Sequence, residues 1–289
     1  MKIAYINYKT KEETVNEVEQ DEDTKLFEFL ISKGFNIKRL IWKDPAVNWK
    51  EYDIAILKSP WDYHENINEF HKWLDDLKAQ NVKLLNSVET VKWNSDKHYL
   101  QDISREGLKI IPSLFIEKET IPNYLLYFDQ LEAEQLVIKP CVSAGAKNTI
   151  VVNRENINVQ RKTINQLLKE GSYIVQPFMK EILQGERSFL FFHGEYSHCI
   201  LKVPKNGDFR VQTSHGGYVK LVNPEMKYIK KATEYILKFA KGSLYARVDG
   251  LIKDDEFYLM ELEVIEPYLF LNMSPGSYDK YYNGLVKLI

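Results

Sequence analysis

The 289-residue chain has only two cysteines, Cys141 and Cys199, and no paired spacing. A disulfide framework is therefore excluded as its source of stability, and a reducing, cytoplasmic setting is expected. No apolar run reaches the ~18 residues of a membrane span, and no charged-then-apolar leader opens the chain, so neither insertion nor secretion is expected. Charge of one sign is also missing. The 39 Lys and Arg stand against 41 Asp and Glu, a net of −2, and no basic stripe gathers them. Nucleic acid is not an expected partner. There is no G-x-G-x-x-G and no Walker A loop. His64, His98, His193, His198 and His215 show no zinc spacing, which argues against a zinc site. What remains is an ordinary globular composition, 44% apolar and 28% charged, at a length that predicts two or three lobes.

Periodicity divides the chain. "MKIAYINY", "NIKRLIW", "YDIAILK" and "VKLLNS" read as strands. Helices alternate with them over Asp23–Lys33 and "EFHKWLDDLKAQ", which predicts an α/β lobe with a parallel sheet over residues 1–95. A helix over Val88–Glu106 follows. A smaller α+β lobe is expected over 96–170, with strands in "KIIPSLFI", "QLVIKP" and "NTIVVN" and helices in "YLLYFDQLEAE" and Gln160–Glu170. From "SYIVQPF" onward, over 171–289, strands dominate: "RSFLFFHG", "EYSHCILKV", "DFRVQT", "LYARVDGLI" and "EFYLMELEV", interrupted by one helix near Glu225–Lys241.

Several late strands carry charge on one face. Side chains alternate along a strand, so Glu261 and Glu263 project together in "LMELEVIEP" while Met260, Leu262 and Val264 oppose them. Tyr245, Arg247 and Asp249 align in the same way. So do Asp208, Arg210 and Gln212, and Lys202 joins His198 and Ile200. A sheet with a wet face uses the same alternation. Asp and Glu are nonetheless poor strand formers, and paired carboxylates beside lysine and arginine suit a nucleoside triphosphate with its divalent metal. In "KPCVSAGAKNT", Lys139 precedes a run of small residues that lets backbone N–H groups approach phosphate, although a plain turn has the same composition. Lys97 in "WNSDKHYL" reads as a helical lysine.

The order of these pieces is what resembles the ATP-grasp ligases: Lys97, "VIKP" with its small-residue loop, the hinge "YIVQPFM", "GER", "GDFRVQ…GG", a strand Asp and a terminal "MELE". A bacterial branch that includes the O-ureidoserine cyclo-ligase of cycloserine biosynthesis is similar also in "SPWDY", "SAGA", "ARVD" and "ELE.IEP". The resemblance implies an ATP-grasp fold, an α/β lobe followed by two α+β lobes with ATP between them. It implies Lys97 and Lys139 on the phosphates, and a flap over Ser143–Thr149 with Ser143, Ala144, Gly145 and Ala146. Hinge backbone at Gln176, Phe178 and Met179 would read adenine, and Glu186 the ribose. Asp249, Glu261 and Glu263 would hold two Mg²⁺ ions, with Mn²⁺ as a substitute. Many ATP-grasp enzymes have Asn where Glu263 stands. Arg210, with Lys202, would stabilise the transferring phosphoryl group.

The implied reaction is carboxylate activation by ATP to an acyl phosphate, followed by displacement of phosphate by a nitrogen nucleophile. A covalent role for Cys141 is not expected, because a small buried cysteine is the commoner case. For a small amino-acid-like substrate the candidates are Trp61, Asp62 and Tyr63, at the C-terminal end of a strand where open α/β sheets place ligands, together with Arg247 and Glu266. "SPWDYHEN" serves equally as a turn capped by Asn66. Ligation within one molecule, ligation of two molecules and ATP sensing without catalysis remain as readings. A homodimer is compatible with each.

Overall fold

The computed structural model describes residues 1–8, 17–211 and 216–289, and for residues 17–20 the backbone alone. The first lobe is a four-stranded parallel sheet of β1 (Lys2–Asn7), β2 (Asn36–Ile41), β3 (Ile54–Ser59) and β4 (Lys83–Leu85), in the order β2-β1-β3-β4. Its helices are α1 (Glu17–Ser32) and α2 (Ile67–Ala79). Alternation assigns the faces. Ile3, Tyr5, Ile54 and Ile56 pack with Leu26 and Leu30 of α1, while Ala4, Ile6, Ala55 and Leu57 pack with Phe70, Trp73 and Leu74 of α2. Burial on both faces is why the central strands read as apolar runs. Strand order reverses between β1 and β3, and the segments leaving their C-terminal ends carry Tyr8 and Trp61–Tyr63.

The helix expected over Val88–Glu106 is two helices, α3 (Val88–Asn94) and α4 (Tyr99–Arg105). At the break the Asp96 carboxylate accepts the His98 N–H at 2.9 Å, and Lys97 gives its N–H to Cys141 O. Such local side-chain bonds compete with a helix. Lys97 therefore sits in a turn rather than within a helix, fastened to the segment that carries Lys139.

The second sheet, β5-β8-β6-β7, is antiparallel. It is built from β5 (Leu114–Ile116), β6 (Gln135–Pro140), β7 (Ile150–Asn153) and β8 (Tyr173–Pro177), with α5 (Tyr124–Gln130) and α6 (Ile157–Leu167). It encloses its own core of Ile116, Phe128, Leu136, Ile138, Val152, Ile164 and Val175. Two expectations change here. Strand β8 pairs between β5 and β6, beyond the boundary that patterning places at residue 170. "KIIPSLFI" yields only β5, since Pro112 has no N–H for a ladder.

The third sheet, β11-β10-β9-β12-β13, contains β9 (Glu186–Phe192), β10 (Glu195–Val203), β11 (Tyr218–Val222), β12 (Tyr245–Lys253) and β13 (Glu256–Glu263), with α7 (Met226–Phe239) and α8 (Ser277–Val286). "DFRVQT" is not a strand over its described residues. The Asp208 carboxylate accepts the N–H groups of Phe209 (2.7 Å) and Arg210 (2.9 Å), which holds a turn instead. Gln212 and His215 lie outside the described residues. Sequence patterning gives no signal for β11, a largely exposed edge strand, or for α8. The latter contains Gly284, where an added Cβ would stand 3.3 Å from that of His193, so the close approach there favours the poor helix former.

The C-terminal segment is locked to the first lobe by buried charge. Lys58 lies 2.9 Å from Asp23 and 3.3 Å from Glu22. The second carboxylate of that trio also accepts the N–H groups of Leu269 (2.9 Å) and Leu271 (2.8 Å).

Candidate active site

A cavity of about 1020 Å³ is lined by residues of all three lobes. Its floor is the charged face of β12 and β13. Antiparallel register sets Asp249 opposite Glu261 and Arg247 opposite Glu263, and all four side chains line the cavity. Arg247 grips Asp249 through Nε (3.0 Å) and Nη2 (2.9 Å), contacts Glu263, and donates from Nη1 to Tyr268 O at 3.0 Å. Lys202 on β10 lies between Glu186 and Asp249, 2.9 Å from the latter. Lys97 reaches Glu261 at 3.2 Å and also Ser143 O at 3.2 Å, tying the floor to the small-residue loop.

These charges nearly cancel. Glu186, Asp249, Glu261, Glu263 and Glu266 face Lys97, Lys139, Lys202 and Arg247. Burial opposes charge on Asp249, but Arg247 and Lys202 outweigh it and hold that carboxyl well below the usual range. The same contest at Glu261 is won by Lys97 and Lys139. Elsewhere burial wins. It pushes Glu263 up to about 8 and Glu186 up to about 7. Glu266 is raised further by burial and by the Glu263 and Glu261 charges, and its carboxylate makes no hydrogen bond to a described residue. A matched floor leaves no spare positive charge for a polyphosphate, while carboxylates held above their ordinary values mark excess acid that a hard cation relieves. The residues present therefore fit divalent metal, which Asp249, Glu261 and Glu263 would hold.

A pH dependence follows. The folded-state pKa of Glu263 is raised, so its favourable contribution is fully present below the unfolded value near 4.5 and is lost as pH rises through about 8. Protons and metal compete for that carboxylate. Mg²⁺ affinity in the presence of a nucleotide is expected to weaken by up to about tenfold per pH unit below 8, seen by titration at pH 6, 7 and 8. Equal affinity at all three would contradict it.

The middle lobe supplies the facing wall. The Lys139 ammonium makes no hydrogen bond to a described residue, and burial lowers its pKa, against the pull of Glu261. The loop that follows turns through left-handed backbone at Gly145 (φ +62°), Ala146 (+58°) and Asn148 (+57°). Lys147 comes within 3.9 Å of Glu65 of the first lobe. In the hinge, Phe178 already donates its N–H to Gln135 O, so that donor is not available to adenine as expected. The Gln176 side chain is likewise committed to Ser113 Oγ at 2.9 Å. The Phe178 carbonyl and the Met179 N–H have no partner among the described residues. Glu186, expected at ribose, shares Lys202 with Asp249. Arg210 lines the cavity from its loop but is clamped by Asp208, with Nη2 at 2.7 Å.

Of the substrate candidates, Trp61 donates Nε1–H to Glu266 O at 3.2 Å, which places the two together at one end. Asp62 does not offer a free carboxylate: Oδ1 accepts Trp42 Nε1–H at 2.7 Å and Oδ2 pairs with Lys43 at 3.0 Å. Tyr63 is mainly core, packed 5.1 Å from Phe70. Tyr8, Tyr268, Asn272 and Met273 also line the cavity and were not singled out by patterning, although the end of β1 is a switch-point position that could have flagged Tyr8. Cys141 is buried, and burial pushes its thiol up, which disfavours a nucleophilic role in the reaction.

Residues 109–274 match the family described as "Prokaryotic glutathione synthetase, ATP-grasp domain", and residues 3–86 match "D-cycloserine synthetase DcsG, N-terminal domain". The cycloserine biosynthesis protein DcsG of Streptomyces lavendulae is 26% identical over 277 residues, covering 91% of this chain and 92% of that one. A glutathione synthetase of Wigglesworthia glossinidia brevipalpis is 22% identical, over 83% of this chain and 73% of the other. The crystal structure of D-cycloserine synthetase DcsG superposes with TM-score 0.85 at 21% identity, covering 99% of this chain and 98% of that one. D-alanine–D-alanine ligase from Bacillus anthracis complexed with ATP gives 0.75 at 17%, covering 100% and 97%. With more than half of its length matched by the family description, this chain belongs to the ATP-grasp family, as an ATP-dependent carboxylate–amine ligase.

Proposed function

We propose that the enzyme activates the carboxylate of a small amino-acid-like substrate and closes a C–N bond within that same molecule. The observation that carries this reading is the first lobe. Its match to a DcsG-type N-terminal domain includes the β1 and β3 ends that line the cavity beside Glu266, so the end of the site away from the hinge is of that type.

In this reading the substrate carboxylate attacks the γ-phosphate of ATP, ADP leaves, and a nitrogen of the same substrate displaces phosphate from the acyl phosphate. Asp249, Glu261 and Glu263 would hold Mg²⁺, which would supply positive charge against the phosphates. Lys97 and Lys139 contact phosphates, and the Phe178 carbonyl with the Met179 N–H reads adenine. The Ser143–Thr149 loop, with Ser143, Ala144, Gly145 and Ala146, excludes water from the acyl phosphate. Arg210 exchanges Asp208 for the transferring phosphoryl group, and Lys202 assists it. Arg210→Ala is expected to lower kcat strongly with little change in ATP affinity. Equal loss of both would mean a ground-state phosphate contact instead.

The test is ADP release with Mg²⁺-ATP against O-ureidoserine, single amino acids and amino-acid pairs. Release with one compound alone, coupled to loss of water from its mass, is the expected result. Release that requires a pair would replace intramolecular closure by two-substrate ligation.

A further inference from the structure

We propose that Asp96, His98 and Cys141 form a binding site for a thiophilic divalent transition-metal ion, Zn²⁺ being the type case, separate from the nucleotide cavity. No sequence spacing announces it, because the ligands come from the α3–α4 turn and from the residue after β6. One ligand atom from each lies within 4.8 Å of the others, and none of the three residues lines the cavity. The two segments are already fastened by the Lys97 N–H to Cys141 O bond at 2.9 Å.

Two further features point to a ligand. Cys141 is 1% exposed, and its Sγ has no hydrogen-bond partner among the described residues although it faces the Asp96 and His98 side chains. His98 is also held as a metal-ligating histidine is held. Its Nε2 lies 3.2 Å from Glu117 Oε1, which in turn shares its carboxylate with Ser172 Oγ at 3.1 Å, and its ring stacks on Phe115 at 4.5 Å. A carboxylate at each ring nitrogen holds the His98 ring in place, and Nδ1 becomes a metal donor once the proton between it and Asp96 is displaced. That Nδ1 now lies 2.6 Å from Asp96 Oδ1, so the metal would enter between two groups already in contact.

An S, N and O donor set suits Zn²⁺ rather than Mg²⁺, whose all-oxygen preference is met on the cavity floor. Zinc bond lengths place tetrahedral ligand atoms roughly 3.3–3.8 Å apart, so the Nδ1–Oδ1 pair, now at 2.6 Å, opens on binding while the wider separations, up to 4.8 Å, close. The thiol proton and the proton shared by His98 Nδ1 and Asp96 Oδ1 leave to solvent as the ion binds, and the thiolate and Asp96 carboxylate together neutralise it. Water takes the fourth position. The ion would pin the turn bearing Lys97 to the segment following Lys139 and so set the spacing of two lysines of the cavity.

Metal-free full-length protein titrated with Co²⁺ tests this. One Co²⁺ per chain with a thiolate-to-cobalt charge-transfer band, displaced by Zn²⁺, is expected. C141A should abolish the band, C199A should keep it, and E117Q should weaken binding by about 10–100-fold. H98Q, at a partly exposed side chain, gives the same reading if C141A folds poorly: the band must be lost or much weakened. No band in the wild type, or an undiminished band in C141A or H98Q, would overturn the proposal.

Discussion

Glu261→Gln is expected to lower turnover by about 10²–10³-fold, the scale of losing one electrostatic stabiliser of a transition state. The substitution keeps the shape of the side chain and a hydrogen-bond acceptor for Lys97, now 3.2 Å away. What it removes is a charge. Glu261 is one of the two floor acids whose pKa is held down, so it is an anion ready for a cation, whereas Glu263 and Glu266 compete for protons. The fold should survive, because the glutamine oxygen still accepts from Lys97, although the favourable pairing of the Glu261 charge with Lys97 and Lys139 is lost. The Mg²⁺ dependence of the residual activity should shift to higher concentration. Turnover close to wild type at ordinary Mg²⁺ would remove Glu261 from the proposed metal set.

The largest stability effect is expected far from the chemistry. Lys58→Met should destabilise the protein by about 3–5 kcal/mol, because it leaves Glu22 and Asp23 buried without their cation. Glu22 is fully buried, and burial already raises its pKa despite Lys58 and the two backbone donors. Acid should therefore rescue the variant. Once the Glu22 carboxyl is protonated less buried charge is left uncompensated, so the gap from wild type should narrow as pH falls. Urea midpoints at pH 5 and pH 8 measure this. A gap that does not change with pH would mean that packing of the lysine stem, not its charge, is what β3 requires. Catalysis at low temperature should change less than stability, since none of the trio lines the cavity.

Much of this site was legible because period-2 alternation is a strong signal on well-formed strands. Asp249, Glu261, Glu263 and Arg247 share a face because β12 and β13 are regular there, and the same reasoning placed Lys202 on β10. It failed where local side-chain bonds override periodicity. Asp208 turns the "DFR" stretch out of a ladder, and Asp96 breaks a helix at Lys97. Both breaks occur at lysine or arginine residues of the cavity, where a turn delivers a cation that a regular element would have pointed elsewhere. Partner choice was less legible still. Nothing in "SPWDY" shows that Asp62 is spent on Trp42 and Lys43, because those contacts join segments about 20 residues apart. The edge strand β11 and the glycine-bearing α8 gave no signal because tertiary packing, not propensity, holds them.

The most direct measurement follows oxygen. Substrate identified by ADP release is labelled with ¹⁸O in its carboxylate and turned over with unlabelled Mg²⁺-ATP in unlabelled water. Activation as an acyl phosphate requires one carboxylate oxygen to leave with the phosphate, so one ¹⁸O per turnover is expected in the inorganic phosphate. Phosphate free of label, with both ¹⁸O atoms retained in the product, would contradict carboxylate activation at this site.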